Sequence, residues 1–452
     1  MLPMTAEQLA AALGAAGGPQ APFGGEVRID SRAVQPGDLF VALAGERADG
    51  HDYVPAVLEA GAYGCVVSRD VPGQYVVPDT LAALQSLART VFSIDQPLTF
   101  GVTGSSGKTS TKDLLAQVLA GFGETLAPAG SFNNEIGLPL TATQRTASTA
   151  YAALEYSARG VGHIAFLCGI VRPDVSLVLN VGSAHVGEFG SRENIAVAKG
   201  ELVEAARRMV VLNADDPLVL GMRSRTSCPV VTFGTGADAD VRATDVQLDD
   251  DGRASFRMNG EQVRLQVSGE HQVANALAVA AALSGGVTDD LARVADLLSH
   301  AKPVSRWRME IVERPDGVTV VNDAYNANPE SMRAALKTLA VMSRGKTRRT
   351  WAVLGPMGEL GAEAPDAHMD LGRFVVRLDV SRLVVVGSEA GSIHAGAVLE
   401  GSWGEESVHV DDVDAAVALL REQVRPGDVV LVKASRAAGL ERLAAALLED
   451  AT

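Results

Sequence analysis

The chain has 452 residues, 47% of them hydrophobic, and a formal net charge of −16. At roughly 150 residues per domain this length predicts about three domains with sizeable cores. The acidic balance opposes general affinity for nucleic acid, whose binding depends on neutralising phosphates. Cys65, Cys168 and Cys228 lie far apart and form no Cys-x-x-Cys pair, which argues against a disulfide framework or thiolate zinc site and for a reducing compartment.

No basic segment followed by an apolar core opens the chain, and no apolar run approaches the ~20 residues of a membrane span, so a soluble cytoplasmic protein is expected. Residues 1–82 predict a small α/β unit. Thr5-Ala-Glu-Gln8 is a capping-box pattern ahead of Leu9 and Leu13, hence a short helix. Val27 and Ile29 suggest a strand, Gln35-Pro-Gly-Asp38 a turn, and Leu39–Leu43 a second strand. A helix through Val54, Val57 and Leu58 and a strand at Cys65–Val67 follow. Asp30-Ser31-Arg32 and Asp49-Gly-His51 are polar clusters at element ends; by residue type alone they read as turn chemistry.

Residues 83–302 predict a second unit. Leu98, Phe100 and Val102 alternate as in a strand entering a core. Then Thr103-Gly104-Ser105-Ser106-Gly107-Lys108-Thr109 matches Gly-x-x-Gly-Lys-Thr, a shorter form of the phosphate loop, with Val102 where the strict pattern wants glycine. Leu114, Leu115, Val118, Leu119 and Phe122 recur at helical spacing, and Gly123 is placed to end that helix. The glycines let backbone N–H groups approach an anion, and the helix N-terminus adds partial positive charge. Lys108 is suited to the outer phosphates and the Thr109 hydroxyl to magnesium. Only seven of the 39 basic residues are lysine, so a lysine inside a motif is less expected by chance; Lys108, Lys199 and Lys433 sit in such places.

Ser176–Asn180 and Met209–Leu212 are short apolar runs of buried-strand type, each followed by polar residues, and open α/β sheets place ligands at such strand ends. Glu155 ends the run Tyr151–Leu154, and His185 follows Asn180 by five residues. A carboxylate, an imidazole and the Thr109 hydroxyl suit shared duty on magnesium. Singly, His185 reads equally as a structural group, Lys199 as part of a solvated helix face pairing with Glu201, and Asn213–Pro217 as an Asx turn. An alanine-rich helix is predicted from Val273 to Leu283.

Residues 303–452 predict a third unit, with strands at Val318–Val321, Trp351–Leu354, Leu383–Val386 and Val429–Val432. Asn328-Pro-Glu330 starts a helix that carries Met332, Leu336 and Leu339. Repeated strand–turn–helix units favour a parallel sheet of Rossmann type, without the Gly-x-Gly-x-x-Gly of a dinucleotide site. The expected fold is α/β in three domains: a small N-terminal α/β unit, a central P-loop ATPase-type domain and a C-terminal Rossmann-like domain.

Taken together, these pieces resemble the Mur ligases, the ATP-dependent amide-forming enzymes of peptidoglycan synthesis. The resemblance spans nearly the whole chain. It rests on Thr103–Thr109, Ser183-Ala-His185, Ala198-Lys199-Gly-Glu201 and Asn213-Ala-Asp215. Asn133-Asn-Glu-Ile-Gly137, Asp323-Ala-Tyr-Asn-Ala-Asn-Pro329, Glu359-Leu-Gly361 and Lys433-Ala-Ser-Arg436 are similar to the branch that adds D-alanyl-D-alanine (D-Ala-D-Ala) to UDP-N-acetylmuramoyl-tripeptide (UDP-MurNAc-tripeptide). The Asp-Asn-Pro-Arg motif of the branch that adds the third amino acid is absent.

The resemblance implies a nucleotide-sugar site on the N-terminal domain with Ser31 and Arg32 near the uridine, and substrate contacts from Asn133, Asn134, Asn326 and Asn328. ATP would lie between the central and C-terminal domains, against Thr103–Thr109, with Asn275 at the adenine and Arg308 and Asp323 approaching from the C-terminal side. Thr109, Glu155 and His185 match Mg2+ ligands, and Lys199 matches a lysine that is carbamylated in several family members, where the added carboxylate helps hold a second metal. Lys108, Lys199, His185 and Glu155 form the implied catalytic set. The tripeptide carboxylate would attack the γ-phosphate, and the dipeptide amine would then attack the acyl phosphate. A monomer is expected. The third residue of the tripeptide, diaminopimelate or lysine, stays open.

This chain departs from the family pattern in places. Glu-x-Gly-Ala-Asn reads Glu155-Tyr-Ser-Ala-Arg159, Gly-Glu-Ile reads Gly162-His-Ile164, Gly-Asp-Met reads Gly355-Pro-Met357, and Lys-Gly-Ser-Arg reads Lys433-Ala-Ser-Arg436. The central ATPase set is intact; contacts to the dipeptide are the part these changes touch. The competing readings are a ligase for a single amino acid, a P-loop motor or switch, and a catalytically silent relative. The acidic charge and lack of basic–aromatic stretches oppose a nucleic-acid motor.

Overall fold

Three β-sheets organise the residues described by the computed structural model, which are 1–45, 48–182, 186–343, 348–401 and 405–449. The first sheet is parallel throughout, with strands Val27–Arg28, Leu39–Val41, Gly64–Val67 and Tyr75–Val76 in that order. Helix Ala6–Leu13 begins with the capping box expected of Thr5 and Gln8 and buries Leu9 and Leu13. The division expected after residue 82 falls inside helix Thr80–Ser93. Leu84, Leu87 and Val91 of that helix pack in the N-terminal core, whereas Ala88 and Phe92 pack in the central one.

The central sheet has nine strands. From Thr125–Leu126 at one edge it runs through Tyr151–Glu155, Leu98–Thr103, Val175–Val178, Met209–Asn213 and Val230–Gly234 to Val241–Leu248, with parallel neighbours throughout. Arg253–Met258 and Glu261–Ser268 then add two antiparallel strands that the sequence reading did not include. Helix Lys108–Ala120 stops two residues before the glycine expected to end it: Gly121 is the cap, and Phe122 and Gly123 form a turn on the Leu119 carbonyl. Helix His271–Leu283 is buried along most of its length, which is why it reads as nearly continuous alanine and aliphatic residues.

The C-terminal sheet has six strands, in the order Glu310–Glu313, Thr319–Asn322, Val429–Lys433, Thr350–Leu354, Arg382–Val386 and Ser407–Val410. Its first pair is antiparallel and the rest parallel. The last strand of the chain thus inserts in the middle, beside Thr319–Asn322, and the two strand ends deliver Lys433 and Asp323 side by side. Asn328 caps helix Pro329–Ser343 by accepting from the Ser331 N–H at 2.8 Å. The α/β fold class expected from the sequence is the one observed. The carboxyl ends of the central and C-terminal sheets open onto one cleft, the position in which open α/β sheets hold ligands.

Candidate active site

A cavity of about 750 Å³ separates the central and C-terminal domains, walled on one side by residues 105–110 and on the other by Arg308, Asp323 and Lys433. Gly107 adopts φ +82°, a conformation that glycine reaches without strain, and a Cβ there would sit 2.7 Å from the Asn275 amide oxygen. Helix Lys108–Ala120 starts at Gly107 with no side chain accepting from its first N–H groups, which leaves them for an anion. Asn180 fastens the loop: its carbonyl accepts from the Ser105 N–H at 3.1 Å and its side-chain oxygen from the Ser106 N–H at 2.9 Å. Thr103 ends its strand with a buried side chain, and Gly104 supplies the carbonyl that accepts from Lys108 Nζ at 2.7 Å. Burial lowers the Lys108 pKa, the Glu155 charge opposes that, and Arg308 adds to it.

Glu155 ends strand Tyr151–Glu155 and is fully buried. Its Oε2 accepts from Asn133 Nδ2 at 3.1 Å, while Oε1 meets no hydrogen-bond donor among the described residues. A buried carboxylate oxygen left in this state calls for a cation. The Thr109 hydroxyl lies 2.9 Å from that of Ser131, which accepts from Arg308 Nη2 at 2.8 Å. The Arg308 guanidinium also stacks 4.3 Å above the Tyr325 ring. Lys433 Nζ lies 2.6 Å from Asp323 Oδ2 and donates to the Asn326 carbonyl at 2.9 Å, and Asp323 Oδ1 accepts from the Met309 N–H. Asn328 reaches back across the cleft to the Ser105 carbonyl.

Lys199 sits on helix Arg192–Ala205, only 4% exposed, and so does not stand on that helix's solvated face. Glu201 does not pair with it. Both Glu201 oxygens accept backbone N–H groups, from Gly162 at 2.5 Å and Ala165 at 2.9 Å, at the start of helix His163–Cys168. The Lys199 pKa falls well below the ordinary 10.5, first because of burial and then because of the Lys108 charge. His185 lies outside the described residues, and among the described ones no group of three histidine, cysteine, aspartate or glutamate side chains is arranged for a metal.

The remaining candidates spread more widely. Asn275 does not line the cavity; it is buried behind Gly107 and donates to Gln272. Asn134 caps the turn into helix Gly137–Thr143 through the Gly137 N–H. Ser31 and Arg32 stand on the N-terminal domain, away from the phosphate loop, in a turn capped by Asp30. The Arg32 guanidinium grips the same carboxylate and lowers its pKa to about 2. Turn chemistry is therefore present at that cluster.

Comparison with known proteins bears on the whole chain. Residues 102–283 match a model of the Mur ligase middle domain, residues 307–436 one of the Mur ligase glutamate ligase domain, and residues 25–90 one of the Mur ligase family catalytic domain. The UDP-N-acetylmuramoyl-tripeptide–D-alanyl-D-alanine ligase of Mycobacterium tuberculosis is 49% identical over 95% of this chain and 93% of its own. The chain belongs to the Mur ligase family. Its fold is similar to that of the UDP-N-acetylmuramoylalanyl-D-glutamyl-2,6-diaminopimelate–D-alanyl-D-alanyl ligase of Acinetobacter baumannii, with a TM-score of 0.85 and 31% identity over 99% of this chain and 98% of that one. MurF ligase of Thermotoga maritima, solved in complex with ADP, gives a TM-score of 0.80 and 30% identity over 94% and 97% of the two chains.

Several residues of this Mur ligase site were not singled out from sequence. Ser131, His271, Gln272 and Glu330 line the cavity, and Asn180 was noted only as a strand end. Ser131 carried no local signal beyond being polar, and Glu330 was read only as the early acid of a helix start. His271 is half-buried in the first turn of its helix, and desolvation lowers its pKa; the Gly269-Glu-His271 step before an apolar helix was the available clue.

Proposed function

We propose that this chain is an ATP-dependent ligase that joins D-alanyl-D-alanine to UDP-N-acetylmuramoyl-tripeptide, the tripeptide being alanyl-D-glutamyl followed by diaminopimelate or lysine, in peptidoglycan synthesis. The observation that carries this reading is the convergence of the phosphate loop, Glu155, and the Asp323–Lys433 pair on one interdomain cavity, in a chain so similar to the ligases above. Its domains divide near residues 82 and 302, and helix Thr80–Ser93 couples the first two. No described helix is long and apolar enough to cross a membrane.

The tripeptide carboxylate attacks the γ-phosphate of ATP and ADP leaves. The acyl phosphate is then attacked by the dipeptide amine, which forms the amide and releases phosphate. Lys108 and the N–H groups at its helix start offset charge on the transferred group. Arg308 approaches from the other wall, and the closed C-terminal domain keeps water from the acyl phosphate. Asn133, held by Glu155, orients the tripeptide.

The unmet Glu155 Oε1 and the Thr109 hydroxyl fit a magnesium ion. When bound, the ion would neutralise phosphate charge. Thr109, Glu155 and His185 are its proposed holders, and a carbamylated Lys199 would help hold a second ion. The buried Lys199 amine, with no carboxylate beside it among the described residues, favours the neutral form that takes up carbon dioxide.

The test is phosphate release from ATP with UDP-MurNAc-tripeptide, adding D-Ala-D-Ala or D-alanine in turn. Release that depends on the dipeptide is expected. Equal turnover with D-alanine reopens the single-residue ligase, and release independent of any acceptor points to a motor or switch.

A further inference from the structure

A second cavity, of about 690 Å³, adjoins the first, and Asn133 and Ser157 line both. Its far wall is the start of helix Thr80–Ser93, with Leu81 and Gln85, on the side of the N-terminal domain. A substrate that is activated beside Lys108 and anchored on the N-terminal domain must pass through this space. On the ligase reading, the peptide stem would lie in this cavity.

Among its lining residues Arg159 is the one permanent cation, set against Asp79, Glu135 and Glu359. Arg159 is exposed, and its guanidinium makes no ion pair or hydrogen bond with the described residues. The backbone beneath it is fixed. The Arg159 N–H donates to His163 Nδ1 at 3.3 Å, and buried Glu201 holds the N–H groups of Gly162 and Ala165. A free guanidinium on a held backbone, at the wall of a substrate cavity, is organised to receive a planar anion. It is also one of three positions in this segment where the chain departs from the family pattern, arginine for asparagine, beside Ser157 for glycine and His163 for glutamate; of these, the arginine and the histidine alter the charge. Both changes make the wall more positive.

We propose that Arg159 pairs with a carboxylate of the bound peptide stem that takes no part in the reaction, and thereby sets which tripeptides this enzyme accepts. The inference rests on the ligase reading. Two carboxylates have the required chemistry: the second carboxylate of a diaminopimelate third residue, and the free carboxylate of the D-glutamyl residue. Lysine at the third position offers only the latter.

The experiment measures kcat and KM for three substrates: the diaminopimelate tripeptide, the lysine tripeptide, and the lysine tripeptide with its glutamyl carboxyl amidated. Each is tested with the unsubstituted enzyme, Arg159→Met and Arg159→Lys. Loss of one charge-assisted pair predicts a KM rise of about tenfold in Arg159→Met, with partial recovery in Arg159→Lys. A rise confined to the diaminopimelate tripeptide assigns the third residue. Equal rises for both unamidated substrates, absent for the amidated one, assign the glutamyl carboxylate. Unchanged KM for all three, or a fall in kcat alone, overturns the proposal while leaving the ligase reading intact. Failure of the unsubstituted enzyme to turn over any of them overturns the ligase reading, and this proposal with it.

Discussion

Arg308, from the C-terminal domain, donates to the Ser131 hydroxyl of the central domain at 2.8 Å, and Ser131 lies 2.9 Å from the Thr109 hydroxyl. One chain of contacts thus runs from one wall of the cleft to the phosphate loop on the other. The backbone on either side of Arg308 is unusual: Trp307 and Met309 adopt φ of 59° and 49°, sparsely populated for such side chains. Their neighbours hold them there, through the Glu310 carboxylate on the Trp307 N–H and Asp323 on the Met309 N–H. Strain held at a site in this way aims a side chain. Arg308→Ala is expected to lower kcat about 100-fold, the usual scale for a transition-state charge partner. Its thermal midpoint should stay within a few degrees of the parent's, since one hydrogen bond and one ring contact are lost. A large drop in melting temperature with kcat intact would make the arginine a structural tie.

Lys108→Ala should abolish phosphate release and leave the fold in place. Its ammonium lines the cavity and, among the described residues, bonds only the Gly104 carbonyl, so truncation opens no hole in a packed core. Destabilisation comparable to a core deletion, roughly 2–5 kcal/mol, measured by denaturant titration, would count against this role.

For Lys199 the carbamate reading predicts that Lys199→Ala loses turnover and that acetate or another short carboxylic acid restores part of it. The small acid would replace the missing oxygen donor. Normal activity in the unrescued variant would remove Lys199 from the site.

The same lysine also predicts how stability depends on pH. Its folded pKa lies well below the unfolded 10.5, so between those two values the unfolded chain binds the extra proton. Stability therefore rises with pH across that window, and below it the buried charge works against folding. Lys108 is shifted in the same direction. In carbonate-free buffer, Lys199→Met should be more stable than the parent near neutral pH, and the gap should narrow as pH climbs towards 10.5. Parallel stability curves from denaturant titrations over that range would refute the shift.

Glu201→Gln probes the loop that carries Arg159. The carboxylate is buried and accepts two N–H groups at the start of a helix, where negative charge is favoured. The amide keeps one acceptor oxygen and puts an NH2 against the other N–H. A loss of about 1–3 kcal/mol is expected, with a raised KM for UDP-MurNAc-tripeptide and an unchanged KM for ATP. An equal change in both constants would place its effect on the whole site.

Local pattern determined much of this protein. The capping box at Thr5, the alternation ahead of Thr103, the glycine spacing of the phosphate loop and the Asn328 cap each depend on residues within one or two turns of each other. Such signals survive without knowledge of the rest of the chain. The antiparallel strands Arg253–Met258 and Glu261–Ser268 were also legible in principle. Asn259-Gly260 joins them with positive φ at both residues, the pair favoured in tight hairpins. The strands flanking it alternate polar and apolar residues because one face is wet.

Other features only the tertiary structure decided. Lys199 stands on a helix whose composition suits a solvated face, yet it falls on the buried side of that helix, and no periodicity separates the two cases for a single charged residue. Glu201 was a plausible partner for that lysine until the fold brought the start of helix His163–Cys168 against it. Asp323 meets Lys433 because the last strand enters the middle of its sheet, and Arg308 meets Ser131 because two domains close on one cleft. These pairs are 110 and 177 residues apart. Side-chain chemistry allows many such pairings; packing selects among them, because each buried charge needs its partner and only the assembled cores decide which charges are buried.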